Sequence, residues 1–174
     1  MTGRFWRAGF IAHEADLLTP ARAPEGRWHH GGQQALYLSG SPEGCQVALK
    51  VYLRQDDGPR GIYPLDVSAR RIADLRCPEA RTSLGTSLDK IHAFWADLLD
   101  AGQHSPTWTL ADRLRDMGAD GILTPSRFRP DLTHLTLFSW NEMHKAQVQR
   151  AGTPLPWPDP EGAPPSKTGH HKSG

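Results

Sequence analysis

The segment 133–138 alternates between polar and apolar side chains and is the clearest strand in the sequence. Successive side chains of a strand point to opposite faces of a sheet, so this alternation predicts a strand with one buried face. Other short apolar runs predict further strands over 4–10, 35–39, 61–68 and 121–124. Pro64 has no backbone N–H to donate, which predicts that its strand lies at a sheet edge or is split by a bulge.

Helix signals alternate with these strands along the chain. A capping serine precedes each of the first three candidates, and apolar residues then recur at helical spacing. The predicted helices, including a polar one near the C-terminus, cover 42–53, 87–99, 106–118 and 141–150. Residues 11–34 are predicted to be a long loop with about one helical turn. Strands and helices in this mixture predict an α+β fold.

The length of 174 residues suits one domain. From Ala151 onward, ten of the 24 residues are proline or glycine. Such a segment buries too little apolar surface to offset the entropy lost on ordering, so we expect a disordered tail. The predicted organisation is a domain over 3–150 and a tail over 151–174.

Charge and cysteine content exclude several classes of protein. The net charge is +1, from 20 basic and 19 acidic side chains, which gives no electrostatic case for binding nucleic acid or an anionic membrane. Cys45 and Cys77 are too few for a disulfide framework and form no C-x-x-C pair. No apolar run approaches the roughly 20 residues of a membrane span, and the N-terminus resembles no signal peptide. We therefore expect a cytoplasmic protein.

No single short motif identifies the chemistry. The sequence contains no G-x-G-x-x-G, Walker A, H-E-x-x-H or G-x-S-x-G pattern. Its nine histidines are dispersed. The pair His29–His30 beside two glycines could bind a metal or act as a base, but an exposed loop pair is the favoured interpretation, and no metal site is predicted.

Four polar residues stand beside aromatic or apolar neighbours, mostly at strand ends: Arg7, Arg27, Tyr37 and Ser126. A guanidinium offers a planar fork of donors to phosphate oxygens, and a tyrosine ring can stack on a flat cationic ring. A serine hydroxyl can bind an amide or orient a nucleophile. Purely structural interpretations remain open: Arg7 could pair with a surface acid, Tyr37 could be a core residue, and Ser126 could cap a turn.

At these positions the chain resembles the RES domain, a family named for its arginine, glutamate and serine. The matching segments occur in the family's order and span nearly the whole predicted domain. They are Phe-Trp-Arg at 5–7, Gly-Arg-Trp at 26–28, Gly-Gln-Gln-Ala-Leu-Tyr-Leu-Ser at 32–39, Ser-Pro-Glu at 41–43, Asp-Val-Ser…Ile-Ala-Asp-Leu at 66–75, Asp-Gly-Ile-Leu-Thr-Pro-Ser-Arg at 120–127 and Leu-Thr-Leu-Phe at 135–138.

The resemblance implies a fold similar to the ADP-ribosyltransferase toxins, with a split mixed sheet flanked by helices and NAD⁺ in the cleft. It implies cleavage of the nicotinamide–ribose bond, with water, phosphate or a protein accepting the ADP-ribose. By position, Arg27 and Arg7 would hold the phosphates, Tyr37 would stack on the nicotinamide, and Ser126 would orient the ribose or amide. Arg7 and Ser126 are the implied catalytic residues, and an antitoxin that blocks the cleft is the implied partner.

The sequence departs from the family at one decisive position, because the family's glutamate falls on Ala48. A carboxylate there would support the ribosyl cation or activate the acceptor, and alanine does neither. Three interpretations follow. Another carboxylate serves, with Glu14 and Glu25 as candidates; catalysis proceeds more slowly by positioning and electrostatics; or the chain is an inactive RES-like module that binds NAD⁺ or a protein.

Overall fold

The computed structural model describes residues 1–54 and 58–158. The strands are β1 (Thr2–Phe10), β2 (Leu36–Ser39), β3 (Arg60–Ser68), β4 (Ile72–Asp74), β5 (Gly121–Pro125), β6 (Thr133–Leu137), β7 (Gln147–Arg150) and β8 (Leu155–Pro156). The helices are α1 (Pro42–Leu49), α2 (Pro78–Ser83), α3 (Leu88–Ile91), α4 (Trp95–Asp100) and α5 (Pro106–Asp116), with a 3-10 helix over Ile11–Asp16. The helical turn expected in the first long loop is therefore present.

The strands form one mixed sheet in the order β4-β5-β6-β2-β1-β3-β7, with β8 also beside β3. The β4–β5 pair is parallel and the other pairs are antiparallel. β1 pairs with β3 along its whole length but meets β2 at a single pair, Trp6 with Ser39. The sheet therefore splits into two halves between β1 and β2. This confirms the predicted α+β fold with a split mixed sheet flanked by helices.

Alternate residues of the strands build two separate apolar clusters. Leu36, Leu135 and Leu137 are fully buried in the larger one. On the opposite face of the sheet, Ile122 packs with Leu110 and other apolar residues of α5. The predicted period-two alternation is thus confirmed, because one face of β2 and β6 is apolar while the other carries polar side chains.

α1 packs across β1 and β2 beside the split in the sheet. As predicted, the Ser41 side chain caps it by accepting from the backbone N–H of Gly44 at 3.0 Å, and a proline occupies the first turn. The helix ends at Leu49, four residues before the predicted end. Val51 and Tyr52 are each 58% exposed, so no apolar surface supports another turn.

The helix predicted over 87–99 is wrong as a single element, because α3 and α4 are separated by residues 92–94. Two arginines bind the carbonyl groups at this break. Arg27 Nε donates to the Ile91 carbonyl at 3.0 Å, and Arg127 donates to the carbonyls of His92 and Ala93 at 3.4 and 3.5 Å. These side chains come from distant segments, so helical periodicity in the sequence could not reveal the break.

The polar helix predicted over 141–150 is also wrong, because this segment is a turn followed by β7. The Asn141 side chain accepts from the N–H of Val148 at 2.8 Å and donates to its carbonyl at 3.0 Å, which closes the turn. β7 then pairs with residues 65–68 of β3. Pairing with the edge of β3 therefore outweighed the weak helical preference of this polar segment.

Pro64 does not place β3 at the sheet edge, since β1 lies on one side and β7 and β8 on the other. It stands between the stretch paired with β8, at Gly61 and Ile62, and the stretch paired with β7, which begins at Leu65. On this side of β3 the neighbouring strand thus changes from β8 to β7 at Pro64, the residue that lacks an N–H. The proline is accommodated at this gap in the outer pairing.

No sequence pattern predicted β4, α2, β7 or β8 as separate elements. β8 falls within the predicted tail, so the sequence-based domain boundary at residue 150 lies eight residues before the end of the described chain. The rest of that tail, 159–174, and part of the turn predicted near 55–59 lie outside the described residues. Within residues 1–54 and 58–158, no helix is long and apolar enough to cross a membrane.

Candidate functional site

A cleft with a volume of about 550 Å³ opens where the two halves of the sheet separate. Side chains of β1, β2, β5 and β6 line it, together with residues of the long first loop and the C-terminal end of α1. The four predicted site residues all line this cleft: Arg7, Arg27, Tyr37 and Ser126. The structure thus brings together residues that are up to 119 positions apart in the sequence.

Arg7 projects from β1, and its guanidinium donates to the backbone carbonyls of Leu17 and, at 2.9 Å, Thr19. Its described hydrogen bonds therefore go to carbonyls, and the alternative of a surface ion pair is not supported. Burial lowers the pKa of Arg7 to about 10. The side chain still carries a full positive charge at neutral pH, and carbonyls do not neutralise that charge.

Arg27 and Arg127 add two further positive charges to the cleft. Burial, followed by the charge of Arg127, lowers the pKa of Arg27 to about 10. The Arg127 guanidinium lies over the Phe94 ring at 3.6 Å, and among the described residues its buried Nε has no hydrogen-bond partner. Two desolvated cations that repel each other are stabilised when an anion binds between or beside them.

Tyr37 fixes the loop residues Trp28 and His29, which line the cleft. Its hydroxyl oxygen accepts from the N–H of Trp28 at 3.0 Å and lies 2.8 Å from Nδ1 of His29, while burial raises the pKa of the hydroxyl. Nε2 of His29 faces the Ala23 carbonyl at 2.9 Å and so carries the proton, which leaves Nδ1 to accept from the tyrosine. His29 is 1% exposed, so the interpretation of an exposed histidine pair is wrong for this residue.

Ser126 follows β5 and is almost fully buried. Its hydroxyl oxygen accepts from the N–H of Arg129 at 3.4 Å, so the turn-capping interpretation is also observed. Its side chain nevertheless borders the cavity. Capping fixes the position of the hydroxyl without preventing it from donating to a ligand.

Sequence reasoning missed Ser39 and His134 as cleft residues. They are cross-strand partners, with the serine Oγ 3.1 Å from Nδ1 of the histidine. Burial, followed by the charge of Arg27, lowers the pKa of His134 to about 4, so its imidazole is neutral at pH 7. The period-two pattern contained the signal, because Ser39 and His134 share the face of the sheet that carries Tyr37.

Ala48 also lines the cleft, so the position of the family's glutamate faces the cavity without a carboxylate. The two candidate replacements differ in placement. Glu14 forms an ion pair with Arg150, whereas Glu25 lines the cleft. Among the described lining residues, Glu25 is the only carboxylate and stands against four arginines.

Comparison with known proteins agrees with this geometry. The solved chains that are similar include the toxin in the crystal structure of the M. tuberculosis MbcT–MbcA toxin–antitoxin complex. The TM-score is 0.65 at 18% sequence identity, over 90% of this chain and 85% of that chain. At this identity the likeness shows the fold, and with the split sheet it confirms the predicted ADP-ribosyltransferase-like architecture.

The search of curated proteins gives no match. Residues 4–158, in contrast, match the RES domain. This match covers almost all of the described chain and every cleft residue discussed above. The protein therefore belongs to the RES domain family.

Proposed function

We propose that this protein is a RES-type toxin that binds NAD⁺ in the cleft and cleaves its nicotinamide–ribose bond. One observation carries the proposal: the guanidinium groups of Arg7, Arg27 and Arg127 face a cavity whose described lining contains a single carboxylate. A pyrophosphate would supply the missing negative charge and accept charge-assisted hydrogen bonds. Membership of the RES domain family favours a dinucleotide over an unrelated anion.

Different residues of the cleft bind different parts of NAD⁺. Arg7 and Arg27 hold the phosphates, since each guanidinium has five N–H donors and only some of them bind carbonyls. The Tyr37 ring offers a face to the cationic nicotinamide, while its hydroxyl stays bound to the loop backbone. Ser126 donates to the nicotinamide ribose or amide.

The bond between ribose C1′ and the nicotinamide nitrogen breaks, and nicotinamide leaves with the bonding electron pair as a neutral molecule. The oxygen of water, phosphate or a protein side chain then bonds to C1′, and an acceptor that is water or a hydroxyl also loses its proton. A nearby carboxylate stabilises the cationic sugar or takes that proton. We assign this role to Glu25, because its carboxylate lines the cleft and Glu14 is bound to Arg150.

A second candidate function is binding without catalysis. Ala48 supports this second function, because it faces the cavity at the position where the family has a glutamate. In either case we propose an antitoxin partner that covers the cleft, by analogy with the toxin–antitoxin complex of the structural neighbour. The exposed side chains of Val51, Tyr52 and Phe128 border the cleft and would be buried by such a protein.

Nicotinamide release from NAD⁺, followed by proton NMR, tests the enzyme against the binding module. We expect release by the wild type and none by Arg27→Ala. Arg4→Ala is the matched control, because Arg4 pairs with Asp66 on the exposed side of β1. Failure of the wild type to release nicotinamide while it still binds NAD⁺ would establish the binding module.

Two further variants test which carboxylate assists the cleavage of NAD⁺. Glu25→Gln should lower the rate by about 100-fold or more, as expected for loss of a general base. Glu14→Gln, the matched control, should leave it unchanged. If Glu25→Gln keeps the wild-type rate and Ala48→Glu raises it strongly, the site has decayed and Glu25 is no substitute.

A further inference from the structure

A second group of polar side chains lies outside the cleft, where the first long loop meets α5. It consists of His30, His104 and Asp112. One ligand atom from each residue lies within 4.8 Å of the other two. Nε2 of His30 is 2.9 Å from a carboxylate oxygen of Asp112.

Neighbouring residues hold these three side chains in place. The His30 ring stacks on the Trp108 ring, with centroids 4.9 Å apart and planes 15° apart, and His104 meets the same ring edge-on at 5.4 Å. The Gln33 amide donates to Asp112 Oδ1 at 2.7 Å. A carboxylate that is fixed by a second hydrogen bond is the usual arrangement around metal ligands.

We propose that His30, His104 and Asp112 bind a divalent transition-metal ion of the zinc type. Two imidazole nitrogens and one carboxylate oxygen form a ligand set that zinc accepts, with water completing the coordination. On binding, the proton between Nε2 of His30 and Asp112 moves to Nδ1 of the same ring or to solvent, and the freed nitrogen and the carboxylate both bond to the ion.

The two carboxylate oxygens of Asp112 have different partners in the cluster. Oδ1 accepts from the Gln33 amide at 2.7 Å, and Oδ2 lies 2.9 Å from Nε2 of His30. The nearby cation, Arg115, donates to the carbonyls of Trp28 and Gln34. The described hydrogen bonds of Arg115 go to carbonyls, so Oδ2 of Asp112 can exchange its contact with His30 for a bond to a metal.

The ion would fasten the loop to α5. His30 follows directly after the segment of Arg27 and His29, which lines the cleft, while Asp112 lies on the helix. Trp108 already joins the two, since its Nε1 donates to the Gly26 carbonyl at 2.7 Å. A metal ion bound across the same junction would stabilise the loop that lines the cleft, whatever ligand the cleft binds.

Titration of the metal-free full-length protein with Co²⁺ tests the site, because tetrahedral Co²⁺ with nitrogen ligands absorbs strongly in the visible range. The sequence ends with a second histidine pair, His170 and His171, so all proteins should carry alanine at both positions. His104→Gln and Asp112→Asn remove one ligand each. His13→Gln, which changes an exposed histidine elsewhere, is the control.

We expect saturable absorption in the background protein and in His13→Gln, and displacement of Co²⁺ by Zn²⁺ with a rise in Tm. His104→Gln and Asp112→Asn should each weaken binding by about 100-fold or more, since even outer-shell changes cost about 10–100-fold. His104 is exposed, so its variant should fold, and unfolding curves in chelator verify this. Absence of absorption in the background protein, or equal affinity in His104→Gln, would refute the metal site. The assay measures metal binding alone, so its result does not depend on whether the protein cleaves NAD⁺.

Discussion

Arg27→Met should leave the protein folded and remove most of its affinity for the pyrophosphate. Methionine keeps a similar length and apolar character along the side chain but carries no charge. The wild-type residue is a partly buried cation beside a second one, Arg127, so its charge opposes folding. The same charge is what an anionic ligand would bind.

The magnitudes follow from the contacts of Arg27. A pKa lowered from 12.5 to about 10 corresponds to about 3 kcal/mol of unfavourable charge burial. Loss of the charge-assisted hydrogen bonds to the Ile91 carbonyl costs about 1.5–3 kcal/mol, which nearly cancels that gain. The free energy of unfolding should therefore change by no more than about 2 kcal/mol. Each lost bond to phosphate should weaken ligand binding by about 10–150-fold.

Urea unfolding measures the stability, and calorimetric titration with ADP-ribose, which lacks the scissile bond, measures the affinity. Arg4→Met is the control for both, because the Arg4 side chain is about half exposed and pairs with Asp66. Affinity for ADP-ribose within threefold of the wild type would refute the assignment of Arg27 to the phosphates. A loss of stability above about 4 kcal/mol would show that the arginine is mainly structural.

Three further predictions concern residues that shape the cleft. His134 has a folded pKa of about 4 against 6.5, so below pH 6.5 the unfolded chain binds a proton that the folded chain refuses. The free energy of unfolding should therefore fall by about 3 kcal/mol between pH 6.5 and 4. Urea unfolding at pH 7 and pH 4 measures this fall, and His134→Gln should lack this part of it. An equal loss of stability at pH 4 in both proteins would contradict the prediction. Tyr37→Phe leaves the N–H of Trp28 without its acceptor and should cost about 1–3 kcal/mol; unchanged thermal unfolding would count against the loop-fixing role. Gly121→Ala places a Cβ 2.3 Å from the Thr136 carbonyl oxygen and should destabilise by about 3 kcal/mol or more, and a circular dichroism melt that matches the wild type would exclude this.

Much of the fold was predictable because short-range patterns specify it. The alternation over 133–138 set the two faces of β6, and the serine–proline pairs marked the starts of α1 and α5. The four proposed site residues were also predictable as a set, since they stand beside aromatic and apolar anchors in the order of the RES domain. Patterns of this kind depend on neighbours within a few residues, which the sequence displays directly.

The failures share one cause. The helix expected over 87–99 breaks where Arg27 and Arg127 bind its carbonyls, and the segment 141–150 becomes a strand because β3 offers an edge. In both cases the deciding partner lies tens of residues away. Local propensity is a fraction of a kcal/mol per residue, so one or two such contacts can override it.

By itself, the sequence determined the α+β class, the positions of the main strands along the chain, the alanine in place of the family's glutamate, and the residues that such a family would use. The tertiary structure alone decided that Glu25 and not Glu14 reaches the cleft, that His29 is buried while His30 meets His104 and Asp112, and that four arginines line one cavity. The physical reason is that charge, burial and coordination depend on distances in space. Those distances join residues as far apart as 7 and 127, and no spacing along the chain encodes them.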